Sequence, residues 1–346
     1  MDRRRLLTGM AGVGLVAAAG RQAFAAADLR AYRLVAEIDL TGHPGAAQLW
    51  VPLAQSAGGS QQASAARWQA SGHARVVRDQ RYGAAMLRVS WPDSAAGPRT
   101  VRVEQTIQTR DRGLEPARLS AAERALWTAP TASMPTDGIV LQTAQHAVGE
   151  RTAPRARARA IYDWVVDNTF RDAAVRGCGI GGVESMLRTG YLGGKCADIN
   201  SLMTALCRAA GLPARDVYGV RLGPSQIQPV LGAKTSDVTK AQHCRVEVHL
   251  DGEGWLPVDP ADVRKVVLEA NLPVDSAAVK AERERLFGSW EMNWVGYNSA
   301  TDIVLPGATR APDEHFLMYP LAMTPAGELD QLDAASFKYK LTSTPA

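Results

Sequence analysis

Residues 193–211 read GGKCADINSLMTALCRAAG, and they decide the fold. After Cys196, the residues Ile199, Leu202, Met203, Leu206 and Ala210 recur at the three- and four-residue spacing of a helix that buries one face. Gly211 stands where such a helix would end in a glycine cap. The spacing therefore predicts Cys196 at the start of a buried helix. The partial positive charge of a helix N-terminus lowers a thiol's pKa and favours the nucleophilic thiolate. Gly193-Gly194, just upstream, would let a substrate approach closely. The competing reading is a small buried hydrophobe, the usual state of a free cysteine. Cys207, on the apolar side of the same helix, fits that role, and Cys178, between Gly177 and Gly179, reads as a turn residue.

A thiol nucleophile needs an imidazole within reach, and the imidazole needs a carboxylate to hold its tautomer. Residues 243–250, HCRVEVHL, alternate as a strand with His243, Arg245, Glu247 and His249 on one face. The turn Asp251-Gly252-Glu253-Gly254 leads into WLPVDP at 255–260, a second strand of a hairpin. Register decides which acid meets His243. If Leu250 pairs with Trp255, Asp262 lies opposite His243 and Asp259 points away. A three-residue loop or a bulge puts Asp259 on the His243 side instead. Geometry alone leaves Asp259 and Asp262 both open. His249, near the turn, is the rival imidazole and reads as solvent-facing. Two histidines six residues apart on a strand do not present themselves to one metal ion, so neither a metal nor a cofactor is expected.

Three ordered pieces, GKCADINSLMTALCRAAGLPARDVYGVR, His243 and GWLPVDP, resemble the transglutaminase-like superfamily, whose core is papain-like. The resemblance covers roughly residues 150–265. It implies an α+β fold in which the helix carrying the cysteine packs on an antiparallel sheet. It further implies Cys196 as nucleophile, His243 as base and Asp259 as the orienting carboxylate. The activity implied is attack on a carboxamide or peptide carbonyl through a thioester, released to water or to an amine. The implied partner is a peptide or protein substrate, cell-envelope peptides included. The alternative is a binding or assembly module that keeps the fold without the chemistry. Many relatives carry Trp two residues after the His, where this chain has Arg245, which leaves the substrate wall and the second oxyanion donor open.

Around this core, residues 26–112 read as a β-rich domain. LRAYRLVAEIDL, YGAAMLRVSW and RTVRVEQTIQTR alternate apolar and polar side chains. Residues 54–66, rich in Ala, Ser, Gly and Gln, read as a mobile loop. The catalytic domain is placed at 113–275, with helical spacing in DGIVLQTAQHAVG and in PRARARAIYDWVVDNTF, where Pro154 suits a first turn. The long polar loop 224–242 has the length of a lid or substrate wall, or of a plain surface excursion. A β-rich extension, 276–346, is expected to contain strand-like DIVLP, HFLMYP and FKYKLT, its aromatics packing on the core.

Residues 1–25 carry Arg3, Arg4 and Arg5, a short apolar run, and Ala23-Phe24-Ala25, the layout of a cleaved export signal of twin-arginine type, with a general secretory signal as its rival. The run is too short to span a membrane. A periplasmic or otherwise exported protein is expected, cleaved near Ala25. Of the formal charge of +4, these residues supply all but one unit, so the remainder is near neutral and gives no reason to expect nucleic acid as partner. The chain has four cysteines and no C-x-x-C pair, which supports neither a disulfide framework nor a zinc site.

Overall fold

In the computed structural model, residues 29–313 and 315–346 are described, and the export-signal reading of 1–25 lies outside them. The centre of the molecule is the helix Cys196–Ala209, in which every side chain from Cys196 to Arg208 is buried. Ile199, Leu202, Met203 and Leu206 pack with Ile161, Tyr162 and Val165 on one side and with Val246 and Val248 of a sheet on the other. Truncating a fully buried leucine such as Leu202 to Ala would cost about 2–5 kcal/mol. Several polar groups buried with the helix are engaged. Ser201 Oγ and Thr204 Oγ1 donate to Asp216 at 2.7 and 2.5 Å, and Asn200 Nδ2 donates to the Cys244 carbonyl at 2.8 Å. Gly211 follows with a φ of +74°, the left-handed conformation that closes the helix without a Cβ clash.

Four antiparallel strands form the core sheet, in the order Gly254–Val258, Gln242–Leu250, Ala214–Arg221, Trp294–Asn298. Helices Gly138–Val148, Pro154–Asn168 and Pro260–Glu269 pack around the central helix. Pro154 occupies the first turn of its helix, where its missing N–H leaves no bond unmade. Behind the hairpin turn, Leu250 pairs with Gly254 and Val246 with Val258. The loop is therefore three residues long, Asp251 to Glu253. That choice sets the face of everything after it, because a one-residue slip would invert the strand.

A second layer system is a β-sandwich of two five-stranded antiparallel sheets among the described residues. One joins Lys338–Pro345, Arg30–Asp39 and Thr100–Thr109, with Gln61–Ala63 and Arg67–Ala70 both on the Thr100–Thr109 strand. The other runs Gly327–Glu328, Leu321–Thr324, Ala47–Pro52, Ala85–Trp91, His73–Arg78. Alternating residues such as Leu34, Ala36, Ile38, Leu49, Val51, Leu87 and Val89 fill the space between. Residues 276–346 are shared out: the helix Ala277–Arg285 and strand Trp294–Asn298 belong with the core, whereas 321–345 complete the sandwich.

Two local expectations differ, and a third is narrowed. DIVLP and HFLMYP form no strand; Ile303, Leu305 and Leu317 are instead buried against Trp50 and Met86 in an irregular segment. Their apolar content reflects burial rather than pairing. Residues 54–66 contain a short strand, and Gln61 is 3% exposed, its amide exchanging two 2.8 Å hydrogen bonds with the backbone of Gly296. A polar side chain used as a backbone surrogate looks like loop composition. The 224–242 segment is pinned, with Val238 N donating to Leu341 O at 2.9 Å and Ser343 N to Ser236 O at 2.8 Å. It is a wall fixed to the last strand. No helix among the described residues is long and apolar enough to cross a membrane.

Candidate active site

Cys196 is the first residue of its helix, where a backbone N–H has no acceptor within the helix and the dipole's positive end lies. The preceding loop is tied to this end by Asp198, whose carboxylate accepts from the N–H groups of Ile180, Gly181 and Lys195 at 2.9–3.0 Å. Ala197 N donates to the Cys178 carbonyl at 2.8 Å. Gly193 and Gly194 do not form an open approach for substrate. They are buried beside Phe170–Arg171, and a Cβ on Gly194 would lie 2.4 Å from Cβ of Asp198. The glycines are there so that the loop can close on Asp198.

His243 Nε2 lies 2.7 Å from Asp259 Oδ2 and 3.4 Å from Asp262 Oδ2. The three-residue hairpin loop is what brings Asp259 to the His243 face, one residue past the strand. Asp259 is also the N-cap of Pro260–Glu269, accepting from Asp262 N at 3.1 Å, so the D-P pair reads as cap and first helical residue. Asn200 Nδ2 adds a bond to Asp259 at 3.2 Å. With Nε2 turned to the carboxylates, Nδ1 is the ring nitrogen left for the thiol, and His243 hydrogen-bonds Cys196. The other candidates stand apart. His249 is buried, not solvent-facing: it stacks edge-on against Trp255 and meets the Ala117 carbonyl at 3.1 Å, because residues 115–117 cover the strand there. Six residues of strand put it about 20 Å from His243.

Two guanidiniums complete the cluster. Arg221 Nη2 bonds Asp262 Oδ1 at 2.6 Å, and Arg245 Nε sits 3.5 Å from Asp259 Oδ2, a charge contact too long for a hydrogen bond. Arg245 lies between Trp294 and Trp290, its guanidinium carbon 4.9 and 5.4 Å from their rings. The residue that departs from the family pattern thus stacks on two tryptophans from later in the chain. With the thiol ionised and the imidazole protonated, three negative and three positive groups share one buried volume, and the cluster is neutral. His243, Asp259 and Asp262 offer three ligand atoms within 4.8 Å of one another. Both carboxylates are already engaged by guanidiniums, however, which leaves a poor donor set for a cation.

Cys196 is surrounded by thiols. Cys178 and Cys244 flank its sulfur, Cys178 Sγ donating to the Gln242 carbonyl at 3.3 Å, and all four cysteines are free. Those two neighbours do most to hold the Cys196 thiol well below its ordinary range, burial opposes them, and His243 adds to the lowering. Burial, together with the neighbouring Cys196 sulfur, pushes the Cys244 thiol well up, so Cys244 keeps its proton and donates it. For His243, burial alone would lower the pKa; the charges of Asp262 and Asp259 outweigh burial and the opposing Arg221, and raise it to about 9. Cys207 is wholly buried and its thiol is pushed up by desolvation, as befits a packing residue.

The site opens into a cleft of about 730 Å³ walled by the 224–242 loop, by Lys195 and by Tyr319, Phe337 and Tyr339 of the C-terminal segment. Gln242, next to His243, also lines it. Its Nε2 is buried and has no hydrogen-bond partner among the described residues. Sequence reasoning missed Gln242, Arg221 and the Cys178–Cys244 contacts. Each lies far from Cys196 in sequence, and only the buried Q-H-C order at 242–244 hinted at them.

Comparison with known proteins concerns the fold and the family. The family model of the transglutaminase-like superfamily matches residues 141–260, a span that holds Cys196, His243 and Asp259. An uncharacterised protein of Haemophilus influenzae is 37% identical over 345 residues, covering 91% of this chain and 92% of that protein. Among solved structures, a candidate cysteine protease from Cytophaga hutchinsonii superposes with a TM-score of 0.53 at 14% identity, over 92% of this chain and 98% of the other. That likeness is one of fold. The chain belongs to the transglutaminase-like superfamily.

Proposed function

We propose that the chain is a cysteine-dependent acyl-transfer enzyme with Cys196 as nucleophile, His243 as acid and base, and Asp259 as the carboxylate that orients the ring. The observation that carries the reading is the buried chain Cys196–His243–Asp259, placed at a helix N-terminus and opening into a cleft. In the resting state the thiolate faces an imidazolium. The thiolate attacks the carbonyl carbon of a carboxamide, forming a C–S bond and a tetrahedral oxyanion. The Cys196 N–H lies where it can donate to that oxygen, and the unpartnered Gln242 amide supplies a second donor. His243 gives its proton to the departing amine, leaving a thioester. Water or a second amine then attacks the thioester while His243 takes its proton, and the thiolate is restored. Water yields a carboxylate, as in a peptidase or amidase; an amine yields a new amide, as in a transglutaminase. Export, as residues 1–25 suggest, would place this chemistry on peptides outside the cytoplasm.

Intact-mass spectrometry of the protein treated with iodoacetamide across pH tests the reading. Single-site labelling that persists well below the ordinary thiol pKa of about 8.5 and disappears in Cys196→Ala is expected. Labelling that rises only near that pKa would sink the assignment and favour a binding module on the same fold. Deamidation of a glutamine peptide, against its coupling to an added primary amine, then separates the two fates of the thioester.

A further inference from the structure

Seven basic side chains and one acidic one, Asp237, line the cleft among the described residues, although the chain as a whole is close to balanced, with 39 basic and 35 acidic residues. Four of the seven already have partners. Arg221 pairs with Asp262 at 2.6 Å, Arg176 with Asp330 at 2.8 Å, and Arg171 and Lys265 share Glu269 at 3.2 and 3.8 Å. Lys195, Lys234 and Lys240 make no ion pair among the described residues. Lys195 immediately precedes the nucleophile, and Lys234 and Lys240 stand exposed on the pinned 224–242 wall.

From this arrangement we propose that the cleft selects an anionic peptide, one whose carboxylates flank the carbonyl that Cys196 attacks. The inference rests on the acyl-transfer reading for its chemistry but not for the binding. A cleft with one sign of charge and low-dielectric walls concentrates field lines and draws in counter-charge. Three ammonium groups that line one cleft without forming a close ion pair are complementary to a chain bearing several carboxylates, and unfavourable to a cationic one. Because Lys234 and Lys240 sit on backbone fixed to the last strand, the charges are held in place before substrate arrives, which reduces the ordering cost of binding.

The test uses full-length Cys196→Ala, which binds without turning over, and two fluorescein-labelled peptides read by anisotropy. One has a central glutamine flanked by glutamates; in the other, neutral residues replace the glutamates. The acidic peptide should bind at least about tenfold more tightly, and the difference should collapse in about 0.5 M salt. Charge reversal at two exposed positions, Lys234→Glu with Lys240→Glu, should remove most of the preference without touching the buried cluster. Equal binding of the two peptides, or a preference that survives charge reversal, would overturn the inference. Low-pH alkylation of the wild type reports separately on the nucleophile. Labelling without acidic preference would end this proposal alone, and acidic preference without labelling would end the acyl-transfer reading alone.

Discussion

The strand Gln242–Leu250 carries two buried ion clusters on one face, four residues apart, and they differ in kind. At one end, His243 and Arg245 meet Asp259, Asp262 and Arg221. At the other, Glu247 is held by Arg112 and by Arg215 at 2.6 Å, with the Arg215 guanidinium 4.1 Å from the ring of Trp255 and 5.0 Å from that of Trp127. Burial opposes the Glu247 charge, yet the two arginines hold its pKa below the ordinary value. Glu247, the acid of that second cluster, therefore stays charged near neutral pH. The first cluster contains an imidazole raised to about 9 and a depressed thiol, and it faces the cleft. The same strand and the same burial give a structural clamp in one place and the proposed reactive centre in the other, and what separates them is the imidazole and thiol that the first contains.

The sharpest way to break this contrast is Glu247→Gln. Two arginines would lose their buried counter-charge, and stability should fall by about 3–5 kcal/mol in denaturant unfolding. The pH profile of Cys196 alkylation should not move; a shifted profile would mean the clusters are one network. His243→Gln should do the reverse in kind. Alkylation at pH 6 should drop by on the order of thirtyfold as the thiolate loses the bond and charge of its imidazolium, with the two neighbouring cysteines still in place, and unchanged labelling would remove His243 from the site. Asp262→Asn should lower alkylation about tenfold by weakening the imidazolium, while Asp259→Asn should also reduce peptide turnover, because it frees the ring to rotate. If Asp262→Asn proves the more damaging for turnover, the two acids exchange roles.

A further effect is on pH-dependent stability. A histidine raised from its ordinary 6.5 to about 9 stabilises the fold fully below pH 6.5, and that contribution is lost as pH rises through 9. The wild type should therefore lose about 3 kcal/mol across that window, and His243→Gln should not.

Much of the site was legible because it is local. The spacing after Cys196, the Gly211 cap and the alternation of 243–250 all express themselves within a few residues. Asp259 and Asp262 stayed open for a definite reason: one residue of hairpin loop inverts a strand, and nothing in D-G-E-G fixes the loop length. What could not be read depends on partners far along the chain. Arg245 takes its meaning from Trp290 and Trp294, Gln61 from Gly296, and Cys178 from Cys196. Gly193-Gly194 reads as flexibility when seen alone and as close packing once Asp198 is beside it.

The pairing of Tyr32 with Pro345 and of Asp39 with Lys338 has a consequence for how the chain reaches its native state. During synthesis, the strand Arg30–Asp39 can find Thr100–Thr109 early, but its other edge stays open until some three hundred further residues have been made. Such distant closure makes for slow folding and leaves an edge that could pair with another chain in the interval. Because the cleft wall hangs on the same final strand, through Val238 and Ser236, a nascent or C-terminally clipped chain would hold its thiol before it held its substrate pocket. Assembly of the last strand would thus act as a late step, one that sets when the cleft beside the Cys196 sulfur is complete.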